Sequence, residues 1–251
     1  MTILCYHTVD PDWASELAVT PAEFEAHCAW LSRNKTVLDL PEAVDRLDRT
    51  ARLPRGMTAV TFDDGFAGLH AHALPSLVRH RVASTIFLVA ETLTPGGRAV
   101  DWAPPGSGTL TLDQVHEMAG AGVRFGSHSY SHHDLTGLGD GELDRDLRES
   151  RVLLEDLLHA PVPFLAYPGG RHDERVRAAA RRAGYTHAFT LPDRPEKPGP
   201  FSVPRAGIYP TNGPAALRIK SSRWYLSLRT TRLFPALRAA ARRLSRSGSP
   251  R

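Results

Sequence analysis

The sequence predicts an α/β fold, a distorted (β/α) barrel of about seven strands. Three observations lead there. Short β-rich runs alternate with helical patterns, which argues for a parallel sheet. About seven such units fall within one chain of 251 residues, which favours a closed barrel over an open sheet. The chemically interesting residues follow the ends of strands, where a barrel gathers its chemistry.

In order, Thr2–Tyr6 reads as a strand. Pro21 to Arg33 reads as a helix, with Thr20 as its cap, Pro21 in its first turn, and Phe24, Cys28 and Leu31 at helical spacing. Pro41–Leu47 is a shorter helix. Met57–Phe62 is a strand that ends in Asp63-Asp64-Gly65. Leu69–Arg79 is helical, with Pro75 as a kink. Ser84–Ala90 is a buried strand and Leu112–Ala119 a helix. Val123–Gly126 is a strand that runs into a His-rich loop. Glu142–Leu158 is an amphipathic helix, with Leu143, Leu147, Val152, Leu154 and Leu158 along one broad face. Phe164–Tyr167 is a strand closing on Pro168-Gly169-Gly170, and Glu174–Ala183 is a helix stopped by Gly184. Tyr185–Leu191 and Phe201–Tyr209 read as strands. Residues 94–108, rich in Gly and Pro, read as a loop over the mouth.

Composition narrows the function classes. Hydrophobic residues make up 41% and charged residues 23%, as in an ordinary globular chain. No run approaches the ~18 apolar residues that span a bilayer. The first residues show no basic segment followed by an apolar one, so no secretory leader is read and the cytoplasm is the expected compartment. Cys5 and Cys28 fit neither a disulfide framework nor a thiolate zinc site. Charge is uneven: up to Glu196 there are nineteen Lys/Arg and twenty-seven Asp/Glu, and after it twelve Lys/Arg and no acid. The stretch from Trp224 to Leu244 sets an apolar face against arginines, interrupted by Pro235. Such a tail can lie on an anionic membrane face, nucleic acid or an acidic polymer, or be a solvated helix with a frayed end. Nothing in it marks a specific nucleic-acid reader, and the oligomeric state is not legible.

Two motifs carry chemistry. His128 and His132 stand four apart and can face one metal if the backbone makes a helical turn. Alone, they can equally be two surface histidines. Thr61-Phe62-Asp63-Asp64-Gly65 ends an apolar strand in adjacent carboxylates, whose burial is costly unless a cation or donors compensate. Alone, it can be an exposed turn capping the next helix. Together they are sharper. One carboxylate and two imidazoles make a three-ligand set for Zn²⁺ or another divalent ion such as Co²⁺, Ni²⁺ or Mn²⁺. The second carboxylate is then free to take a proton from water. A backbone N–H of the Pro168-Gly169-Gly170 turn can serve a developing oxyanion, and a His can protonate a leaving amine.

These residues resemble the polysaccharide deacetylases of carbohydrate esterase family four. The family's Thr-Phe-Asp-Asp-Gly stands unchanged at 61–65, and its His-(Ser/Thr)-x-x-His is matched by His128, Ser129 and His132. The resemblance covers roughly residues 1–210. The catalytic domain is taken over 1–215, and the charge and apolar pattern beyond it make 216–251 a basic amphipathic, partly disordered tail. The resemblance further implies Asp63 as general base, Asp64, His128 and His132 as metal ligands, the Gly169 N–H as oxyanion donor, and Ser129 as a support of the metal loop. The implied substrate is an N-acetylated, GlcNAc-type sugar or polysaccharide.

Two departures matter. The third motif, usually Arg-x-Pro-(Tyr/Phe)-Gly, reads Ala166-Tyr167-Pro168-Gly169-Gly170 here, so the arginine that orients the base is missing. Arg205 is the candidate replacement, with a rim salt bridge as its other reading. The late Leu-x-His that carries the general acid is also missing: no His follows His187, which sits in a strand and suits a structural role. His7, ending the first strand, is the candidate acid. This is similar to the exopolysaccharide branch of the family, where an early Tyr-His strand stands in for the late motif by circular permutation. His172 is a lone loop His, and Tyr130, Tyr167 and Trp102 are stacking candidates better explained by packing. The alternative functions are an amidohydrolase on a small amide or cyclic ureide, and a carbohydrate-binding protein with a decayed site.

Overall fold

The computed structural model describes residues 2–50, 55–96, 108–192, 195–210, 212–229 and 231. Trp102, most of the loop 94–108, and the basic tail from 232 lie outside them.

The first strand, β1 (Thr2–Tyr6), is buried at every position. A two-residue ladder follows, β2 (Thr8–Val9) with β3 (Ala18–Val19). Helix α1 (Pro21–Asn34) opens with a capping box: the Thr20 hydroxyl accepts from Glu23 N–H and the Glu23 carboxylate accepts from Thr20 N–H. Then come β4 (Thr36–Leu38), α2 (Leu40–Thr50) and β5 (Met57–Phe62). The helix expected over 69–79 is split. Leu69–Ala73 is a π turn, and α3 (Leu74–His80) starts after it with Pro75 in its first turn. Proline has no N–H to return to an earlier carbonyl, so the ladder widens before it rather than running straight through.

The remaining elements alternate as expected: β6 (Ser84–Leu88), α4 (Leu112–Gly120), β7 (Arg124–Ser127), α5 (Asp140–Leu158), β8 (Phe164–Ala166), α6 (Glu174–Arg182), β9 (His187–Thr190) and β10 (Val203–Gly207). Two short helices, α7 (Pro214–Lys220) and α8 (Arg223–Arg229), complete the described part. The strands at 185–191 and 201–209 are shorter than the sequence suggests, pairing only over His187–Thr190 and Val203–Gly207.

Seven parallel strands close on themselves in the order β1-β10-β9-β8-β7-β6-β5, with β5 pairing back to β1. The register runs from Thr2 opposite Thr58 to Tyr6 opposite Phe62. The first strand thus closes the barrel between β5 and the last strand. On its other edge β5 meets β4 along Met57–Ala59 and β6 along Val60–Phe62, so β4 is an eighth strand outside the ring.

Strand side chains alternate between two cores. Ile3, Ala59, Phe87, Phe164, Ala166, Phe189 and Val203 form the inner cluster. Leu40, Ala43 and Val44 of α2 join it, and His187 at the start of β9 bonds Asp48 of α2, so α2 covers the N-terminal ends of the strands. The outer cluster sets Leu4, Val60, Phe62, Ile86 and Leu88 against helical Phe24, Leu31, Met118, Leu147, Leu154 and Val176. Each such side chain contributes about 1.5–3 kcal/mol on burial.

The boundary expected at 215/216 falls inside α7. Leu217 and Leu226 are buried, Lys220 Nζ donates to Gly207 O, and Thr2 Oγ1 donates to Ser222 O. The described part of 216–231 therefore packs on the barrel. Among the described residues no helix is long and apolar enough to cross a membrane.

Candidate active site

The C-terminal ends of β5, β7 and β1, with the middle of β10, bring Asp63, Asp64, His128, His132, His7 and Arg205 together, and Gly169 follows β8. At the end of β5, Asp63 N–H donates to Tyr6 O and stays in line with the sheet. The next residue does not: Asp64 has φ 73° and Gly65 φ 70°. That left-handed step turns the second carboxylate away from the first. Glycine suits position 65, where the positive φ strains an L side chain and a Cβ would press on Leu88 Cδ2 at 2.7 Å.

The His loop after β7 is built by turns and not by the helical turn that the i,i+4 spacing suggests. Ser129 (φ 71°) and His132 (φ 59°) are both left-handed. His132 N–H donates to Ser129 Oγ at 2.9 Å, which folds the second histidine back over the first. Asp146, from α5, clamps the loop by accepting from Tyr130 N–H, Ser131 N–H and Ser131 Oγ. The sequence reading missed Asp146. Its signal was an acid on the apolar stripe of Leu143, Leu147 and Leu154, where it is only 8% exposed.

Asp64 Oδ1 lies 3.2 Å from His128 Nε2 and 3.3 Å from His132 Nε2. It is buried and makes no well-formed hydrogen bond. His128 Nδ1 donates to Ala166 O at 2.8 Å, so in the neutral ring Nε2 carries a lone pair. Acceptors thus converge on one point. Ligands about 2.0–2.2 Å from a tetrahedral ion sit roughly 3.3–3.5 Å apart, so the spacing fits a divalent cation. The electrostatics agree. Burial pushes the Asp64 carboxyl up, but the two imidazoles outweigh it and hold the group far below the usual carboxylate range. Burial pushes His128 down, yet Asp63 and Asp64 hold it above its ordinary value. Both shifts favour positive charge at this point.

Asp63 meets donors instead. Arg205, fully buried on β10, grips it in a fork: Nη1 to Oδ1 and Nη2 to Oδ2, each 2.7 Å. Nη1 also donates to Thr61 Oγ1, and the guanidinium stands 5.2 Å over the Phe87 ring. At 0% exposure Arg205 is not a rim residue. Ala166, at the third-motif arginine position, packs in the inner cluster with Phe87 and Phe189. Burial raises the Asp63 carboxyl, but Arg205 and then His128 outweigh it and hold the group below its usual value. Burial lowers Arg205, and Asp63, with Cys5 and Asp64, outweighs it and raises the group.

Cys5 is a second donor that the sequence reading missed. Its Sγ lies 3.3 Å from Asp63 Oδ2, and burial pushes the thiol far up, so it donates as S–H. Its position two before His7 was the available signal, since both point to one face of the strand. His7 follows β1, half-buried, with its ring stacked on Tyr209 at 6.4 Å and its buried Nδ1 unpartnered. One His7 nitrogen, Cys5 Sγ and an Asp63 oxygen all lie within 4.8 Å of one another.

Gly169 sits in the Pro168–Gly170 turn with φ 60°, directly after the strand whose Ala166 carbonyl holds His128. His133 Nδ1 pairs with Ser131 Oγ, away from Asp64. Tyr167 is fully buried, and Tyr130 packs against the core. His172 is buried against Tyr167, Glu196 and Arg177.

The polysaccharide deacetylase family model matches residues 50–188, more than half of the chain and both motifs. The chain belongs to the polysaccharide deacetylase family. Among relatives of this deacetylase domain, YxkH of Bacillus subtilis is 29% identical over 191 residues, 76% of this chain and 64% of YxkH. The chain thus spans just under two thirds of that relative's length. The poly-beta-1,6-N-acetyl-D-glucosamine N-deacetylase of Staphylococcus epidermidis is 26% identical over 204 residues, 75% of this chain and 67% of that protein. Among solved structures, IcaB from Ammonifex degensii superimposes with a TM-score of 0.73 at 25% identity, covering 86% of this chain and 95% of its own. The Streptococcus pyogenes deacetylase PplD shares the fold, with a TM-score of 0.76 at 24% identity over 88% of this chain and 97% of its own.

Proposed function

We propose that this chain is a metal-dependent N-deacetylase of a GlcNAc-type sugar or polysaccharide. One observation carries the proposal. Three acceptors converge at Asp64, His128 and His132, while the adjacent carboxylate, Asp63, is held by donors. The name of the S. epidermidis relative supports the substrate class.

Asp64, His128 and His132 would hold the ion, and zinc suits one carboxylate and two imidazoles, with Co²⁺, Ni²⁺ and Mn²⁺ as alternatives. Bound there, it would supply Lewis acidity, which polarises an amide carbonyl and acidifies water. The protein's own residues do the rest. Asp63 accepts the proton of the attacking water. A carboxylate has about four lone-pair sites. The Arg205 fork takes two, the Cys5 thiol takes a third on Oδ2, and so Oδ1 keeps the free one. Arg205 fixes the plane of the base and keeps it ionised. The Gly169 N–H binds the oxyanion, and His7 delivers a proton to the leaving amine from the other side of Asp63. The Arg205 fork on Asp63 supports it as the replacement for the missing third-motif arginine, His7 is the candidate for the missing late His, and both argue against a decayed site.

The test is acetate release across a panel of N-acetylated sugars, with metal content measured in parallel. Metal-dependent release from GlcNAc substrates, abolished in Asp63→Asn, is expected. Turnover only of small amides or cyclic ureides, or no tightly held ion, would overturn the proposal. For His7, His7→Ala turning over at the wild-type rate with its ion bound would remove it from the role of acid.

A further inference from the structure

His7 lacks the device that commonly fixes a working histidine. A histidine that acts through one ring nitrogen is usually oriented by a hydrogen bond at the other. His7 Nδ1 is buried and has no hydrogen-bond partner. The ring lies instead against Tyr209, with centroids 6.4 Å apart and planes inclined by 23°. The direction in which His7 points therefore depends on what holds Tyr209.

Tyr209 belongs to the turn that follows β10. Its ring folds back over Gly207, where a Cβ would meet Tyr209 Oη at 2.6 Å and Cζ at 2.8 Å, so a side chain at 207 would displace the ring. Gly207 stands opposite Cys5 across the β1–β10 seam, which brings the ring to the end of β1, beside His7. The turn is closed on itself. Tyr209 N–H donates to Asn212 Oδ1 at 2.9 Å, and Asn212 N–H donates to Tyr209 O at 2.8 Å.

Lys220 grips this turn from outside. It is the last residue of α7, and its Nζ donates to Asn212 Oδ1 and to Gly207 O, each at 2.6 Å. The same ammonium stands 5.0 Å from the centre of the Tyr209 ring, within reach of a cation–π attraction. One charge thus ties both ends of the turn and the ring it carries. The chain beside Lys220 is itself anchored to the barrel. Ser221 O accepts from Lys35 Nζ at the end of α1, and Ser222 O accepts from Thr2 Oγ1 of β1.

We infer that Lys220 is a positioning residue for the acid: through Asn212 and Tyr209 it sets the His7 ring for proton delivery. This rests on the deacetylase reading above, with His7 as acid, and gives α7 a part in turnover.

The experiment uses two variants. Lys220→Met keeps an apolar stem and removes the charge and its donors; Asn212→Ala removes the acceptor that Lys220 and Tyr209 share. Each should lower kcat for acetate release about 10–100-fold, with KM changed less than about twofold, because a misplaced acid weakens the transition state and not substrate binding. In a His7→Ala background, Lys220→Met should lower kcat by less than about a further twofold, since the two residues act on one step. No fall in kcat, an equal fall with and without His7, or a rise in KM alone overturns the proposal. The NMR signal of the His7 Cε1–H group in metal-free protein reads the same coupling without turnover. It should move or broaden in both variants at unchanged Tm, even if no acetate is ever released. A His7 signal unmoved in both overturns the positioning role even if the enzyme is active. If Lys220→Met fails to fold, Asn212→Ala carries both readings.

Discussion

Asp63 and Asp64 are adjacent, equally buried, and surrounded by opposite kinds of partner. Asp63 is packed with donors: the Arg205 fork and the Cys5 thiol. Asp64 faces two imidazole nitrogens, one of them left as an acceptor by a backbone carbonyl behind it. A single left-handed step at Asp64 separates the two environments. A pair of like charges is thus kept buried by solving each charge differently, one with protein donors and the other with a place for a cation.

The largest expected effect breaks this contrast outright. Asp64→Asn should lose the divalent ion and lower acetate release about 10³-fold or more, whereas Asp63→Asn should keep the ion and lose about 10²–10⁴-fold in turnover. Metal analysis beside the activity assay checks both. If Asp63→Asn also lost its ion, the two carboxylates would not be divided as described. Next is Arg205→Met. It leaves Asp63 charged and unpaired, and should cost about 3–5 kcal/mol in urea denaturation. Adding Asp63→Asn should return much of that loss, because the two residues act as one unit. A cost under about 1 kcal/mol would mean that the fork does not hold the base.

Asp146→Ala sharpens the other side. Removing the clamp on the His loop should weaken metal affinity about 10–100-fold without touching a ligand, as read by competition with a chelator. The smallest effect comes from a carboxylate with donors but in contact with water. Glu25 accepts from Ser76, Arg79 and His80, which hold it at about 2, below its ordinary 4.5. A carboxyl lowered on folding stabilises above its unfolded pKa and loses that contribution as pH falls from 4.5 towards 2. At a largely solvated site the contribution is under about 1 kcal/mol. Glu25→Gln should therefore shift the urea midpoint slightly at pH 7 and by less at pH 2.5, where part of the contribution is already lost.

What was legible in the sequence was local. The strands of the ring read as apolar runs, and Thr61–Gly65 with His128–His132 carried the residues proposed to hold a metal. What was not legible depends on partners far away in sequence. The ladder of Thr8–Val9 with Ala18–Val19 and the short β4 have too few residues to show a period. The Cys5–Asp63 contact spans 58 positions and the Arg205–Asp63 fork 142; Arg205 was legible as a candidate for the missing third-motif arginine, but the bonds themselves were not. The His loop was misjudged for a different reason. Spacing of four suggests a helix, but Ser129 and His132 are left-handed, and the Ser129 hydroxyl and the Asp146 carboxylate help hold that path.

The seam between β1 and β10 has a consequence for biosynthesis. The strand made first must wait for the strand made last before the ring can close, and β10 brings Arg205. A nascent chain that has not yet delivered residue 205 holds Asp63 without its guanidinium and leaves two sheet edges open to aggregation or to chaperones. Completion of the ring and arming of the base are then one event. A polypeptide stalled or clipped before Val203 would be both inactive and recognisably unfinished.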